Sequence, residues 1–249
     1  MCFATALTAI AAIIVWFFVP SMKEYSAGSM KLNTAFSILL ASFSLWFLQD
    51  NPLDTSKLRL KLGYLFALIT LTIGLVTLVQ YIFGINFGID EFFVTDFRNS
   101  ESILFPGRMS PIANICFVLM GCGLLVINFG NKRKLHLSSF FVVPICFITI
   151  LVIIGYIYNE KNLFQVGPFI RISWQTALCC QLLAIGILFS RPNDWPTHVL
   201  TSNGLGGMTI RRLFPLVVVC PIILGCFWLY YIKIEASDKE LGVSLFVIS

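Results

Sequence analysis

The chain has 249 residues, 58% of them hydrophobic and only 12% charged, with a net charge of +5 and a mean hydropathy of +0.89. That balance lies well outside the range of soluble globular domains and argues against a soluble enzyme. It also argues against a nucleic-acid binder, because no basic stripe interleaved with aromatics occurs outside the apolar stretches.

A helix needs about 20 mainly apolar residues to cross a bilayer, at about 1.5 Å of rise each. Taken in chain order, seven stretches meet that need: 2–20, 33–49, 62–83, 110–129, 137–158, 172–190 and 213–232. They are continuous apolar runs, not the short alternating strands of a membrane barrel. The expected fold class is therefore an all-α integral membrane bundle, forming a single domain over residues 1–249. The first stretch lacks a basic leader segment and exceeds the apolar core of a signal peptide, so it reads as a span. An eighth begins at Leu241 and reaches only to Ser249, about 14 Å of helix. It is expected to be a truncated span whose continuation emerges in the cytoplasm.

Orientation follows from the basic residues. Lys57, Arg59 and Lys61, then Lys132, Arg133 and Lys134, then Arg191, Arg211 and Arg212 cluster in every second loop, with few acids among them. Such clusters mark cytoplasmic loops and place the N-terminus inside, where the positive charge meets anionic lipid headgroups. The longest connection, 84–107, carries Asp90, Glu91, Asp96 and Glu101 and is expected outside.

Three of the spans repeat one pattern. Asn33-Thr34-Ala35-Phe36-Ser37, Ile112-Ala113-Asn114-Ile115-Cys116 and Gln175-Thr176-Ala177-Leu178-Cys179 align. The agreement continues through Ser42, Gly121 and Ala184 and then Ser44, Gly123 and Gly186. Small residues in such columns let neighbouring helices approach closely where lipid offers no hydrophobic drive. The repeating unit is a hairpin: a helix running outward, an outer loop, then an inward helix with a polar first turn.

Catalytic constellations are missing. His136 and His198 are too few and too separate for a metal centre. The cysteines Cys2, Cys116, Cys122, Cys146, Cys179, Cys180, Cys220 and Cys226 fall inside spans, where they read as small buried residues. The glycine-rich 202–208 segment lacks the lysine and hydroxyl of a phosphate loop and reads as a turn. Pro144 and Pro221 lie inside spans, where a proline kinks a helix. No cofactor, no metal and no enzymatic activity are expected of the chain. No Asp, Glu, Lys or Arg lies well inside a span, whereas ion-coupled transporters place such a group near the midplane.

With the repeats laid out, four strings become recognisable: SMKLNTAFSILL at 29–40, GIDEFF at 88–93, PGRMSP at 106–111 and TSNGLGGMTIRRLFP at 201–215. Together they resemble the multi-pass N-terminal input region of bacterial signalling proteins, the region that precedes PAS, histidine-kinase or diguanylate-cyclase modules. The resemblance covers essentially the whole chain. It implies a sensor in the bacterial inner membrane, part of a two-component or related system. Its partners would be the bilayer, a small ligand from the outer face, a cytoplasmic output domain in cis and, for a kinase, a second copy. Two departures stand out: members read Asn-Thr-Ala where this chain has Ile112-Ala113-Asn114, and many carry a histidine where it has Gln175. The competing readings are a small-molecule transporter or channel built from helical hairpins, and an intramembrane enzyme acting on lipid. The missing midplane charges argue against the transporter, and the missing catalytic pairs against the enzyme.

The place where a signal enters is read from depth. The inward helices all start at the outer face, so their first turns share one level. Those turns hold Asn33 and Thr34, then Ser110 and Asn114, then Ser173, Gln175 and Thr176, with Arg108 and Arg171 just above. Buried amides and hydroxyls cost on the order of 1–3 kcal/mol without a partner, so these groups should face one another, water or a ligand. Two readings fit this arrangement: helix capping and interhelical hydrogen bonds with the arginines at the headgroups, or a shallow, outward-open polar pocket in which Arg108 and Arg171 offer charge to an anionic ligand.

Overall fold

A computed structural model describes residues 1–18, 30–49, 56–88, 90, 107–128, 137–158, 171–190, 207–209 and 212. Its described elements are all helical: α1 (Cys2–Phe18), α2 (Leu32–Leu48), α3 (Lys57–Phe83), α4 (Pro111–Leu125), α5 (Leu137–Tyr158) and α6 (Trp174–Phe189), with no strand among the described residues. Residues 207–209, which overlap the end of the 202–208 segment read as a turn, are also helical. The expected spans at 213–232 and from Leu241 lie outside the described residues, as do His136, His198, Cys220, Pro221, Cys226 and most of the 84–107 connection.

Local chemistry sets the helix ends. Ser56, Ser110 and Ser173 each sit at an N-cap and accept a hydrogen bond from the backbone N–H three residues on. Pro111 takes the first helical position of α4, where no N–H is needed. Gly84 closes α3 with φ of 65°, a left-handed conformation that glycine adopts without strain.

Two helices, α3 and α5, are long and apolar enough to cross a membrane. Of each apolar window, 28% is buried. The other four are apolar but shorter, at 15 to 17 residues, about 23–26 Å of helix. Of these, α2 matches the expected span at 33–49 in length, α4 starts one residue after 110 and ends at Leu125, and α6 starts two residues after 172 because Ile172 and Ser173 precede its first turn.

The six helices form two shells. Helices α2, α4 and α6 pack on one another pairwise, while α1 packs against α2 and α6, α3 against α2 and α4, and α5 against α4 and α6. Each outer helix thus covers the groove between two inner ones. The inner helices meet through equivalent repeat positions. Ile38, Phe117 and Cys180 form one fully buried layer, Ala41, Met120 and Leu183 the next, and Leu45, Leu124 and Ile187 a third. The repeat seen in sequence is therefore a quasi-three-fold arrangement in space.

Small residues do two jobs at the contacts between shells. At Gly121 an added Cβ would lie 2.9 Å from the Leu71 Cα, so this glycine brings α4 directly onto the α3 backbone. Elsewhere hydroxyls bond across helices: Thr5 Oγ1 to Ser42 Oγ at 2.8 Å, Ser44 Oγ to the Gly63 carbonyl at 2.8 Å, and Thr149 to Gln181. The outer helices turn the opposite chemistry outward. Phe3, Leu7, Ile14 and Phe18 on α1, Leu65, Leu68 and Ile82 on α3, and Phe140, Phe147 and Leu151 on α5 are all exposed. So many large apolar side chains facing outward over an apolar core that also holds hydroxyls form a surface that water solvates poorly.

Each hairpin is also tied at its tip in the same way. Trp16 Nε1 donates to the Met30 carbonyl at 2.8 Å, Tyr81 Oη to the Met109 carbonyl at 2.6 Å, and Tyr156 Oη to the Ile172 carbonyl. Met30, Met109 and Ile172 occupy one repeat position, just before the start of each inner helix, and all three are buried. An aromatic ring with a polar tip on the outer helix thus fixes the approach of the next inner helix.

Candidate functional site

The three tied helix starts converge on one cleft. Lys31, Ser110 and Ser173, the same repeat position, line it together with Thr34, Ala113 and Thr176, again one position, and with Arg171 and Ile172. The cleft encloses about 210 Å³ of space, part of it open to solvent, and its depth suits a group about the size of a water molecule.

The three contributions differ in chemistry. On α4 and α6 the cap serines are already engaged, Ser110 Oγ accepting from the Ala113 N–H and Ser173 Oγ from the Thr176 N–H, both at 3.2 Å. Ser173 Oγ also meets Thr176 Oγ1 at 2.7 Å. On α2 the cap residue is Lys31, whose side chain does not cap the helix. Thr34 is 3% exposed, and its hydroxyl has no hydrogen bond to any described residue. The other buried in-helix hydroxyls at Ser37, Ser42, Thr70, Thr77 and Thr149 bond back to the carbonyl four residues earlier. Thr34 sits in the first turn, where the chain four residues earlier is not helical.

Of the residues expected in an outer pocket, Thr34, Ser110, Arg171, Ser173 and Thr176 share this cleft. Arg108 does not line it. Its side chain is fully buried, and its Nε lies 2.8 Å from Asp90 Oδ2. Its second nitrogen donates to the Ile85 carbonyl at 3.2 Å, and the guanidinium lies 5.1 Å from the centre of the Tyr81 ring. Gln80 Nε2 donates to the same Asp90 oxygen at 3.3 Å, and Asn33 Nδ2 donates to the Asp90 carbonyl at 3.4 Å. Arg108 and Asn33 therefore belong to a neighbouring buried network that pins Asp90 onto α2, α3 and α4. The expectation that Arg108 offers its charge to a ligand is corrected: a carboxylate neutralises it, and the second cation of the cleft is Lys31. Asn114 is fully buried with neither amide atom bonded, and Gln175 is half-buried with its Oε1 unbonded. Neither lines the cleft.

Sequence reasoning missed Lys31, Asp90, Gln80 and Tyr81. The register of the repeat places Lys31 beside Ser110 and Ser173, and Gln80 is a long polar side chain in an otherwise apolar run. Both were available signals. No group of three or more His, Cys, Asp or Glu side chains suited to a metal ion occurs among the described residues. No family model matches the chain, and no curated protein and no solved structure matches it.

Proposed function

We propose that the chain is the membrane-embedded input module of a bacterial signal-transduction protein. In this reading it is a seven-span bundle in the inner membrane, its N-terminus cytoplasmic and its cleft open to the outer side. The module relays a change at the cleft to an output domain in the cytoplasm. The observation that carries this reading is the cleft's position. It lies where three inner helices start, so an occupant touches all three at once. A ligand shifts a conformational equilibrium only by its differential affinity for two arrangements. Contact with three converging helix ends supplies that difference, because small relative shifts of the ends change every contact together.

Two further observations support it. The outer helices present the apolar surface that a bilayer solvates. The strings at 29–40, 88–93, 106–111 and 201–215 resemble those of bacterial input regions, and the 29–40 and 106–111 strings run through the cleft-lining residues Lys31, Thr34 and Ser110.

The test is a fusion of the full chain, in frame, to a kinase module whose phosphorylation can be read in membranes. Thr34→Val and Arg171→Gln are expected to shift basal kinase output severalfold relative to the unsubstituted fusion. Output identical across these variants, in protein that inserts and accumulates normally, overturns the reading.

A further inference from the structure

We propose that α4 has two registers on α3, and that the second, reached by a slide of α4 toward the cleft end, joins the Asn114 side chain to Gln80. The proposal rests on the input-module reading and names the movement by which the bundle relays a signal. Among the described residues, Asn114 alone is fully buried with both side-chain polar atoms unbonded. A buried amide without a partner is costly. Nothing in the repeat demands one, because the equivalent residues Ala35 and Ala177 are fully buried methyls. A cost borne in one arrangement and relieved in another biases the equilibrium between them.

The matching group is on the facing helix. Helices α3 and α4 run antiparallel, with Leu71 beside Gly121 and Tyr81 Oη bonded to the Met109 carbonyl. A Cβ added at Gly74 would lie within 3.3 Å of both the Asn114 carbonyl and the Val118 backbone nitrogen. Gln80 lies about 9 Å farther along α3 toward the cleft end, fully buried and with its Oε1 unbonded. Side chains lean toward the N-terminus of their own helix. Asn114 therefore leans toward the cleft end and Gln80 away from it, so the two amides close on each other along the bundle axis. Asn114 Nδ2 donates and Gln80 Oε1 accepts, and one bond satisfies both atoms. The glycines project no side chain into the facing helix at Gly74 and Gly121, which suits the small displacements that helix interfaces undergo. Two bonds hold the present register: Tyr81 Oη to the Met109 carbonyl at 2.6 Å, just ahead of α4, and Gln80 Nε2 to Asp90 Oδ2 at 3.3 Å. A slide carries Ser110 and Ala113, at the start of α4, past Thr34 and Thr176 in the cleft wall. Cleft and register thus bias each other.

The full chain, purified in detergent, first tests the strain. Asn114→Ala is expected to raise the unfolding temperature by about 2–4 °C, while Thr72→Val, at an exposed hydroxyl on α3, leaves it unchanged. An unchanged or lowered temperature for Asn114→Ala shows the amide satisfied in this arrangement and overturns the proposal. The kinase fusion then tests the slide. Asn114→Ala removes the bond of the second register and Tyr81→Phe loosens the first, so they are expected to shift basal output severalfold in opposite directions. In a Gln80→Leu background Asn114 has no partner in either register, and Asn114→Ala is expected to change output no further. Shifts in the same direction, or a full Asn114→Ala effect without Gln80, overturn the two registers. So does output unchanged by Asn114→Ala and Tyr81→Phe while the cleft variants respond. Output unchanged in every variant, those of the cleft included, overturns the input reading and the relay with it.

Discussion

Arg108 is the largest fully buried side chain among the described residues, and one carboxylate close by determines whether that burial is tolerable. An ion removed from water loses hydration worth several kcal/mol, which a well-placed counter-charge and its hydrogen bonds must replace. Asp90 does so with one oxygen, helped by Gln80 on the same oxygen and the Ile85 carbonyl on the guanidinium. Removing the carboxylate leaves the charge behind, so Asp90→Ala is expected to destabilise the fold by about 3–5 kcal/mol. Removing both charges, as in Asp90→Leu with Arg108→Met, is expected to restore most of that loss. Thermal unfolding in detergent measures both, and an Asp90→Ala protein that unfolds with the unsubstituted one shows that the pair does not hold the segment in place. The contrast with Arg171 is chemical. The two arginines share a repeat position, but Arg171 lines the cleft while Arg108 is buried against a carboxylate.

At the scale of helices, the hairpin is the unit, and its tip is where packing becomes function. Each outer helix ends in an aromatic group bonded to the carbonyl just ahead of the next inner helix. These bonds orient the extended residues that aim the inner helices at the cleft. Tyr81→Phe keeps the ring on which Arg108 rests and removes only the hydroxyl, leaving the Met109 carbonyl without its donor. A loss of about 1 kcal/mol is expected, read as a lowered unfolding temperature, and unchanged stability shows the tie to be incidental. Much of this was legible beforehand. Apolar runs marked the helices, and the fixed register of Thr34, Ala113 and Thr176 placed their first turns at one depth. The tips were not legible, because Trp16, Tyr81 and Tyr156 follow no constant spacing and aromatic residues abound in any membrane helix. The partner of Arg108 was hidden for a related reason. Asp90 comes from a long aperiodic connection, and periodicity says nothing about where such a chain folds back. Lys31 was legible in the repeat but was counted with the loop charges that set orientation.

Across the whole molecule, charge and polarity divide along the bundle axis. The cleft lies at the end where Tyr81 meets Met109, beside the last turn of α3. The basic residues Lys57, Arg59 and Lys61 lie in the first turns of the same 27-residue helix, about 30–36 Å from Tyr81 along its length. Arg59 is fixed there, donating to the Trp46 carbonyl at 3.0 Å with its guanidinium over the Trp46 ring. An arginine stacked on an aromatic at a helix end suits the membrane interface, where the ring and the cation each find a compatible environment. If basic clusters stay in the cytoplasm, the cleft must open on the opposite side, because α3 separates the two by about the thickness of the hydrocarbon core, which is about 30 Å. Reporter fusions placed after Phe97 and after Lys132 test this directly. Alkaline phosphatase is expected to be active at the first position and silent at the second, and a cytoplasmic fluorescent reporter to show the reverse. Two positions reporting the same side would break the link between charge and orientation. A clean reversal would keep the bundle but turn the cleft toward the cytoplasm.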